Sequence, residues 1–236
     1  MSVFTVITAD IIDSRKTSIS FGDLEKRLIN LNYPEEMITP FKILRGDEIQ
    51  GVFSGFLKTP QILRRLRYCF YPLQLRIGIG IGTIEKGIDK DNSWEMNGPA
   101  FYLARNALDQ VKADHDLSLT RINSASQKNT SLKNKPDSLI EKNSKPKHYI
   151  GKDISNEGLD LAINTILLLI DTIQRDWTEN QWEAVYFYEV MGTYQKAAEK
   201  IGIAFQNVEK RCNAANWKQV ERAEINIRDI IEMWGY

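Results

Sequence analysis

The strand-like stretch Leu73 to Thr83, with Leu75-Arg76-Ile77-Gly78-Ile79-Gly80-Ile81-Gly82 inside it, constrains the fold of this chain more than any other. Alternation with a period of two is the mark of a strand. One face, Leu75, Ile77, Ile79 and Ile81, is uniformly apolar, and the other carries three glycines. A strand gives up its side chains on one face where something bulky must approach its backbone. The chain must therefore build a sheet, bury the isoleucine face, and bring another element hard against the glycines.

The flanking pattern supplies the rest of that sheet. Val3–Ile12 reads as a strand, and Phe21 to Leu31 as an amphipathic helix with apolar residues at 21, 24, 28 and 31. Residues 41–54 read as two strands folded around a Gly46-Asp47 turn. Thr59-Pro60 opens a helix carrying Ile62, Leu63, Leu66 and Phe70, with proline suitably placed in its first turn. Asn97-Gly98-Pro99 starts another helix, to about Val111, and Leu117–Ile122 reads as a last strand. The order predicts an α+β fold, a ferredoxin-like βαββαβ sheet with helices, over residues 1–122.

Residues 155–236 read as all-helical. Leu159, Ile163, Ile166, Leu167, Ile170 and Ile173 form one stripe, either core or a dimer seam. Thr178 with Gln181 is a capping-box pair. Between the two parts, residues 123–154 lack apolar periodicity and are rich in Ser, Asn and Lys, which predicts a linker or exposed insertion. Residues 121–150 carry seven basic and two acidic side chains, and residues 151–236 nine basic and fourteen acidic. The whole chain of 236 residues is formally neutral.

The longest late apolar run, Ile166 to Ile170, is too short to span a bilayer, so no membrane partner is expected. Met1 leads straight into a strand-like run, which reads as cytoplasmic. Cys69 and Cys212 share no metal-ligand spacing; Cys212 reads as a small core residue. The cluster Arg64-Arg65-Arg67 reads as a solvated helix face.

Two carboxylates are the chemical candidates. Asp10 ends an apolar strand and Asp47 sits in the hairpin turn. Together they can hold Mg²⁺ or Mn²⁺ against phosphates, with Glu48 and Asp13 as auxiliaries, or they can be plain turn formers. The succession Thr8-Ala9-Asp10-Ile11-Ile12, Arg45-Gly46-Asp47-Glu48-Ile49, Arg76 to Gly82, and Gly98 leading a helix with Leu103-Ala104 resembles class III nucleotidyl cyclases, and its turn is similar to that of GGDEF diguanylate cyclases. The resemblance implies a palm-type fold that works as a head-to-tail dimer. It implies a metal site at Asp10, the Ile11 carbonyl, Asp47 and Glu48, and nucleotide contacts at Asp10, Ile12, Arg45, Gly46 and Asp47. The family's base-reading lysine is replaced by Ile43, and its ribose-orienting asparagine and charge-steadying arginine align with Tyr102 and Asn106. Arg105 is one residue off, a helical rotation of about 100°. Nucleotide binding with altered catalytic equipment follows; the alternative is an active metal-dependent nucleotidyl cyclase or nucleotidyltransferase.

Residues 193–214 have the form of a helix-turn-helix. Ala197, Ala198 and Ile201 face inward, Gly202 turns the chain, and Val208 and Cys212 pack the second helix. This leaves Phe205, Gln206, Asn207, Lys210 and Arg211 outward, with Thr193 at the start of the first helix. The segment resembles sigma-region-4 and LuxR-type DNA-binding domains, which implies DNA as a partner; the plain alternative is a helical bundle used for protein association. Taken whole, Thr8-Ala9-Asp10-Ile11-Ile12-Asp13-Ser14-Arg15 and Arg45-Gly46-Asp47-Glu48 resemble the SatD family, which implies this pairing of a sheet part with a helical C-terminus.

Overall fold

The computed structural model describes residues 2–14, 19–31, 33–44, 46–88, 92–114, 118–125 and 156–234. Five strands, β1 (Phe4–Ile11), β2 (Met37–Ile43), β3 (Glu48–Ser54), β4 (Leu75–Gly82) and β5 (Thr120–Ser124), form one sheet in the order β2-β3-β1-β4-β5. β1 lies antiparallel between β3 and β4, β2 is antiparallel to β3, and β5 is parallel to β4. Helices α1 (Phe21–Ile29), α2 (Gln61–Phe70) and α3 (Pro99–Ala113) complete the ferredoxin-like βαββαβ core and its added α3–β5 unit.

β2 starts four residues earlier than the periodicity places it, and it holds Pro40 in mid-strand. Proline removes a ladder donor, so it is tolerated on an edge strand such as this one.

The two faces of the sheet are covered differently. Ile7, Ala9 and Ile11 of β1, Ile49 and Phe53 of β3, and the isoleucines of β4 share a buried cluster with Leu24 and Leu28 of α1 and Ile62, Leu66 and Phe70 of α2. On the other face the glycines of β4 let α3 settle onto the strand backbone. A Cβ on Gly80 would lie 2.1 Å from the carbonyl oxygen of Ala100, and one on Gly78 would lie 2.2 Å from that of Ala104. Val6, Val52, Met96, Ala100 and Ala104 fill this second, smaller core.

Among the described residues five further helices follow: α4 (Asn156–Arg175), α5 (Glu179–Met191), α6 (Tyr194–Ile201), α7 (Phe205–Ala214) and α8 (Trp217–Trp234). Beyond Ala125 the expected linker lies outside the described residues. The α4 stripe is core: Ile163, Leu167 and Ile170 are buried in the same cluster as the sheet. α4 also covers the free edge of β5. Asp160 accepts from the Ser124 amide at 2.8 Å, Asn164 accepts from the Ile122 amide at 2.7 Å and donates to its carbonyl at 3.0 Å, and Asp171 accepts from the Leu119 amide at 2.9 Å. Positions 160, 164 and 171 recur at helical spacing, so one helix face satisfies the backbone groups that an edge strand otherwise presents to other chains.

The arginines of α2 correct the expectation of a solvated face. Arg64 is 2% exposed. Its guanidinium donates to both carboxylate oxygens of Glu224, at 2.9 and 3.1 Å, and to Glu189 at 3.0 Å. Arg65 pairs with Glu189 at 2.8 Å, and Arg67 with Asp171 at 2.7 Å and the Thr120 hydroxyl at 2.6 Å. These residues are the polar tie between the sheet part and α4, α5 and α8.

Candidate functional site

β1 and β4 pair around the glycines so that Thr8 and Asp10 face the same side of the sheet as α3. Across β3 the register sets Thr8 opposite Gln50 and Asp10 opposite Glu48; on the other flank Asp10 faces Arg76 of β4. Ala9 and Ile49, between them, point into the other core. The partner of Asp10 in the ladder is thus Glu48. Asp47 sits one residue earlier, part-exposed in the turn after Gly46, whose φ of +75° suits glycine. Arg45 lies outside the described residues.

α3 contributes the opposing charges. Arg105, Asp109 and Lys112 are spaced four and three residues apart and share one helix face. The ammonium of Lys112 lies 2.7 Å from Oδ2 of Asp10, and the guanidinium of Arg105 lies 3.0 Å from Oε1 of Glu48. The Thr8 hydroxyl donates to the same Glu48 oxygen at 3.3 Å. Asp10 is only 15% exposed at its side chain, and its Oδ1 is buried with no hydrogen-bond partner among the described residues. Such an atom lacks the solvation a carboxylate oxygen requires.

The remaining sequence-predicted residues are spread more widely. Ile11 is buried at the end of β1, and the Ile12 amide donates to the Gln74 carbonyl at 2.9 Å. Asp13 follows in a turn with φ of +55°. Tyr102 is 65% exposed on α3. Asn106 turns toward β5, its side-chain amide 3.0 Å from that of Asn123, while the neighbouring Arg105 takes the place over the carboxylates.

The second candidate surface is on α6 and α7. Thr193 caps α6 by accepting from the Lys196 amide, and Gly202 ends it with φ of +80°. Ala197, Ala198, Val208 and Cys212 are buried as expected, and burial pushes the Cys212 thiol up to about 12, where it is unreactive. Phe205, Gln206, Asn207 and Lys210 are exposed along the first turns of α7. Arg211 is half-buried and lies 3.4 Å from Glu183 of α5.

With this geometry in place, the sequence comparison is decisive for the family: residues 4–145 match the description of the SatD family. The chain belongs to the SatD family. No curated protein matches it. The matched stretch spans the whole sheet and α3, and so includes Asp10, Glu48, Arg105 and Lys112; it ends before α4.

Sequence reasoning did not single out Lys112 or Thr8; of the carboxylates it named, the register sets Glu48 opposite Asp10 and leaves Asp47 in the turn. A usable signal exists for the lysine. Arg105 and Lys112 are seven residues apart, two helical turns, so any helix that brings one over the sheet brings the other. A divalent cation fits the donor set in one respect and is limited in another. The partnerless Oδ1 of Asp10 is a free hard ligand beside a second carboxylate. Yet no three His, Cys, Asp or Glu side chains converge among the described residues. Mg²⁺ or Mn²⁺ on these two carboxylates would need water and ligand phosphates to complete its coordination.

Proposed function

We propose that this SatD-family chain is a DNA-binding regulatory protein whose sheet part binds a nucleotide together with a divalent cation, Mg²⁺ or Mn²⁺. The observation that carries the reading is two carboxylates in direct register, Asp10 and Glu48, faced by the two cationic side chains Lys112 and Arg105. A metal–polyphosphate complex has the complementary arrangement, a dication joined to anionic oxygens. Asp10 and Glu48 would hold the metal, and Lys112 and Arg105 the phosphates; the metal supplies charge neutralisation between them. Tyr102, on the same side of α3 one turn before Arg105, offers an aromatic face for the base.

The DNA reading rests on Gln206, Asn207 and Lys210 lying exposed at the start of α7, where amide side chains suit adenine edges and a lysine suits guanine or phosphate. A route between the two parts is present, because α3 and α4 both pack on β5. A nucleotide shifts DNA affinity through that route only insofar as it binds one arrangement better than another.

Two measurements test the proposal. A nucleoside triphosphate with Mg²⁺, at about 100 times its Kd, should stabilise the fold by about 2.7 kcal/mol. For a chain of this size that is a rise in melting temperature of roughly 5–10 °C. Asp10→Asn should abolish the rise; a wild-type protein indifferent to every nucleotide overturns the reading, and pyrophosphate release in the same mixture would convert it to nucleotidyl transfer. In titrations of a duplex at several salt concentrations, Lys210→Ala should weaken binding and lower the salt slope by about one. Absence of duplex binding at low salt removes the DNA claim.

A further inference from the structure

We infer that Lys112 and Arg105 are built-in counter-ions that make the cation and the polyphosphate bind jointly, each opposing the other's solitary binding; this rests on the nucleotide reading above and adds its regulation. In the ligand-free site each carboxylate already has a cation: Lys112 at 2.7 Å from Asp10 and Arg105 at 3.0 Å from Glu48. Among the described residues, Asp109 of α3 and Arg76 of β4 also face this strip, and Asp47 adjoins it in the hairpin turn.

A dication arriving alone at Oδ1 of Asp10 must sit beside the Lys112 ammonium, which holds Oδ2 of the same carboxylate. Like charges a few ångströms apart repel strongly in a half-buried setting. A polyphosphate arriving alone must draw Lys112 and Arg105 away and leave Asp10, with one oxygen already buried and unpartnered, beside an anion. Arriving together, the two ligands exchange two internal ion pairs for two external ones, and each of the four side-chain charges keeps an opposite partner. The site therefore takes free metal or free phosphate weakly and their complex more tightly. The coupling is reciprocal, since each ligand must raise the affinity for the other by the same factor.

The test uses the full chain, Mn²⁺ and inorganic tripolyphosphate. Protein-bound Mn²⁺ is read by equilibrium dialysis, in which the Mn²⁺ that tripolyphosphate itself chelates is equal in both compartments and only the excess on the protein side counts as bound. Wild type should bind Mn²⁺ at least about tenfold more tightly when tripolyphosphate is present. Lys112→Gln should bind Mn²⁺ alone about tenfold more tightly than wild type, because the competing ammonium is gone, and should lose most of the tripolyphosphate enhancement. Lys112→Arg keeps the charge and should behave as wild type, which separates loss of charge from loss of fold.

Equal Mn²⁺ affinity in wild type and Lys112→Gln overturns the inference, as does a Lys112→Gln variant with its enhancement intact. The nucleotide reading fails separately. If wild type shows no thermal response to any nucleotide with Mg²⁺ while Lys112→Gln gains Mn²⁺ affinity, the antagonism stands without the nucleotide.

Discussion

Replacing Arg64 with Met should cost the fold about 3–5 kcal/mol, the usual penalty for removing one partner of a buried ion pair. The guanidinium holds both oxygens of Glu224 and one of Glu189, and it stacks on the Trp217 ring, 4.4 Å from the centroid. Met restores part of the packing volume but none of the charge. Glu189 keeps Arg65 at 2.8 Å, whereas Glu224, 3% exposed, loses the only guanidinium bonded to it among the described residues.

The deficit should depend on pH, and its sign follows from the two carboxylates. Burial already pushes the Glu224 carboxyl above its usual range, against the pull of Arg64. Burial also pushes Glu189 up, but Arg64 and Arg65 outweigh it and hold that carboxyl below its usual range. A carboxyl raised in the folded state binds its proton more tightly there. The stability linked to Glu224 is therefore fullest below the unfolded value and falls as pH rises through the folded one. Loss of Arg64 removes the group opposing that rise, so Arg64→Met should lose more stability at pH 8 than at pH 5. Urea unfolding at the two pH values checks this. The double variant Arg64→Met/Glu224→Leu should recover most of the loss, because an apolar pair of similar volume can replace a buried ion pair at little cost. A single-variant loss under about 1 kcal/mol, or one insensitive to pH, contradicts the account.

Gly80→Ala should cost about 3 kcal/mol or more, unusually large for one methyl group. The added Cβ would sit 2.1 Å from the Ala100 carbonyl oxygen and 2.3 Å from the Ala104 amide nitrogen, both in the helix backbone, where no side-chain rotation relieves the overlap. α3 must lift off β4, and Arg105 and Lys112 travel with it. The nucleotide-dependent rise in melting temperature should therefore vanish in a variant that changes no site side chain. Gly22→Ala in α1, where a Cβ meets nothing within 4 Å, should instead stabilise the fold by about 0.4–1 kcal/mol. Denaturant curves for the two variants separate a packing effect from a general intolerance of substitution.

Much of the architecture was legible because strands and helices have different periods. The Ile-Gly alternation of β4, the amphipathic spacing of α1 and the Thr178–Gln181 cap of α5 are local signals, and the elements stand where those signals put them. β5 shows the limit. Its apolar pattern points to Leu117–Ile122, but its ladder runs from Thr120 to Ser124, set by pairing to Ile77–Ile81 of β4 and by the α4 side chains that take its outer amides.

The site divides the same way. That Asp10 would stand at a strand end was readable from residues 3–10 alone. That Glu48 would be the residue across from it depends on the hairpin register, which changes every pairing with a slip of one residue. That Lys112 would close on Asp10 depends on how deeply α3 sinks onto the glycines.

The local pattern of residues thus determined which segments are strands and helices, where they are capped, and which faces are apolar. Tertiary packing alone decided which charges meet. Arg64 reads as a surface residue until Glu189 and Glu224, 125 and 160 positions away, are brought against it. Periodicity is a property of neighbours along the chain, whereas an ion pair is a property of distance in space, and only the folded sheet converts one into the other.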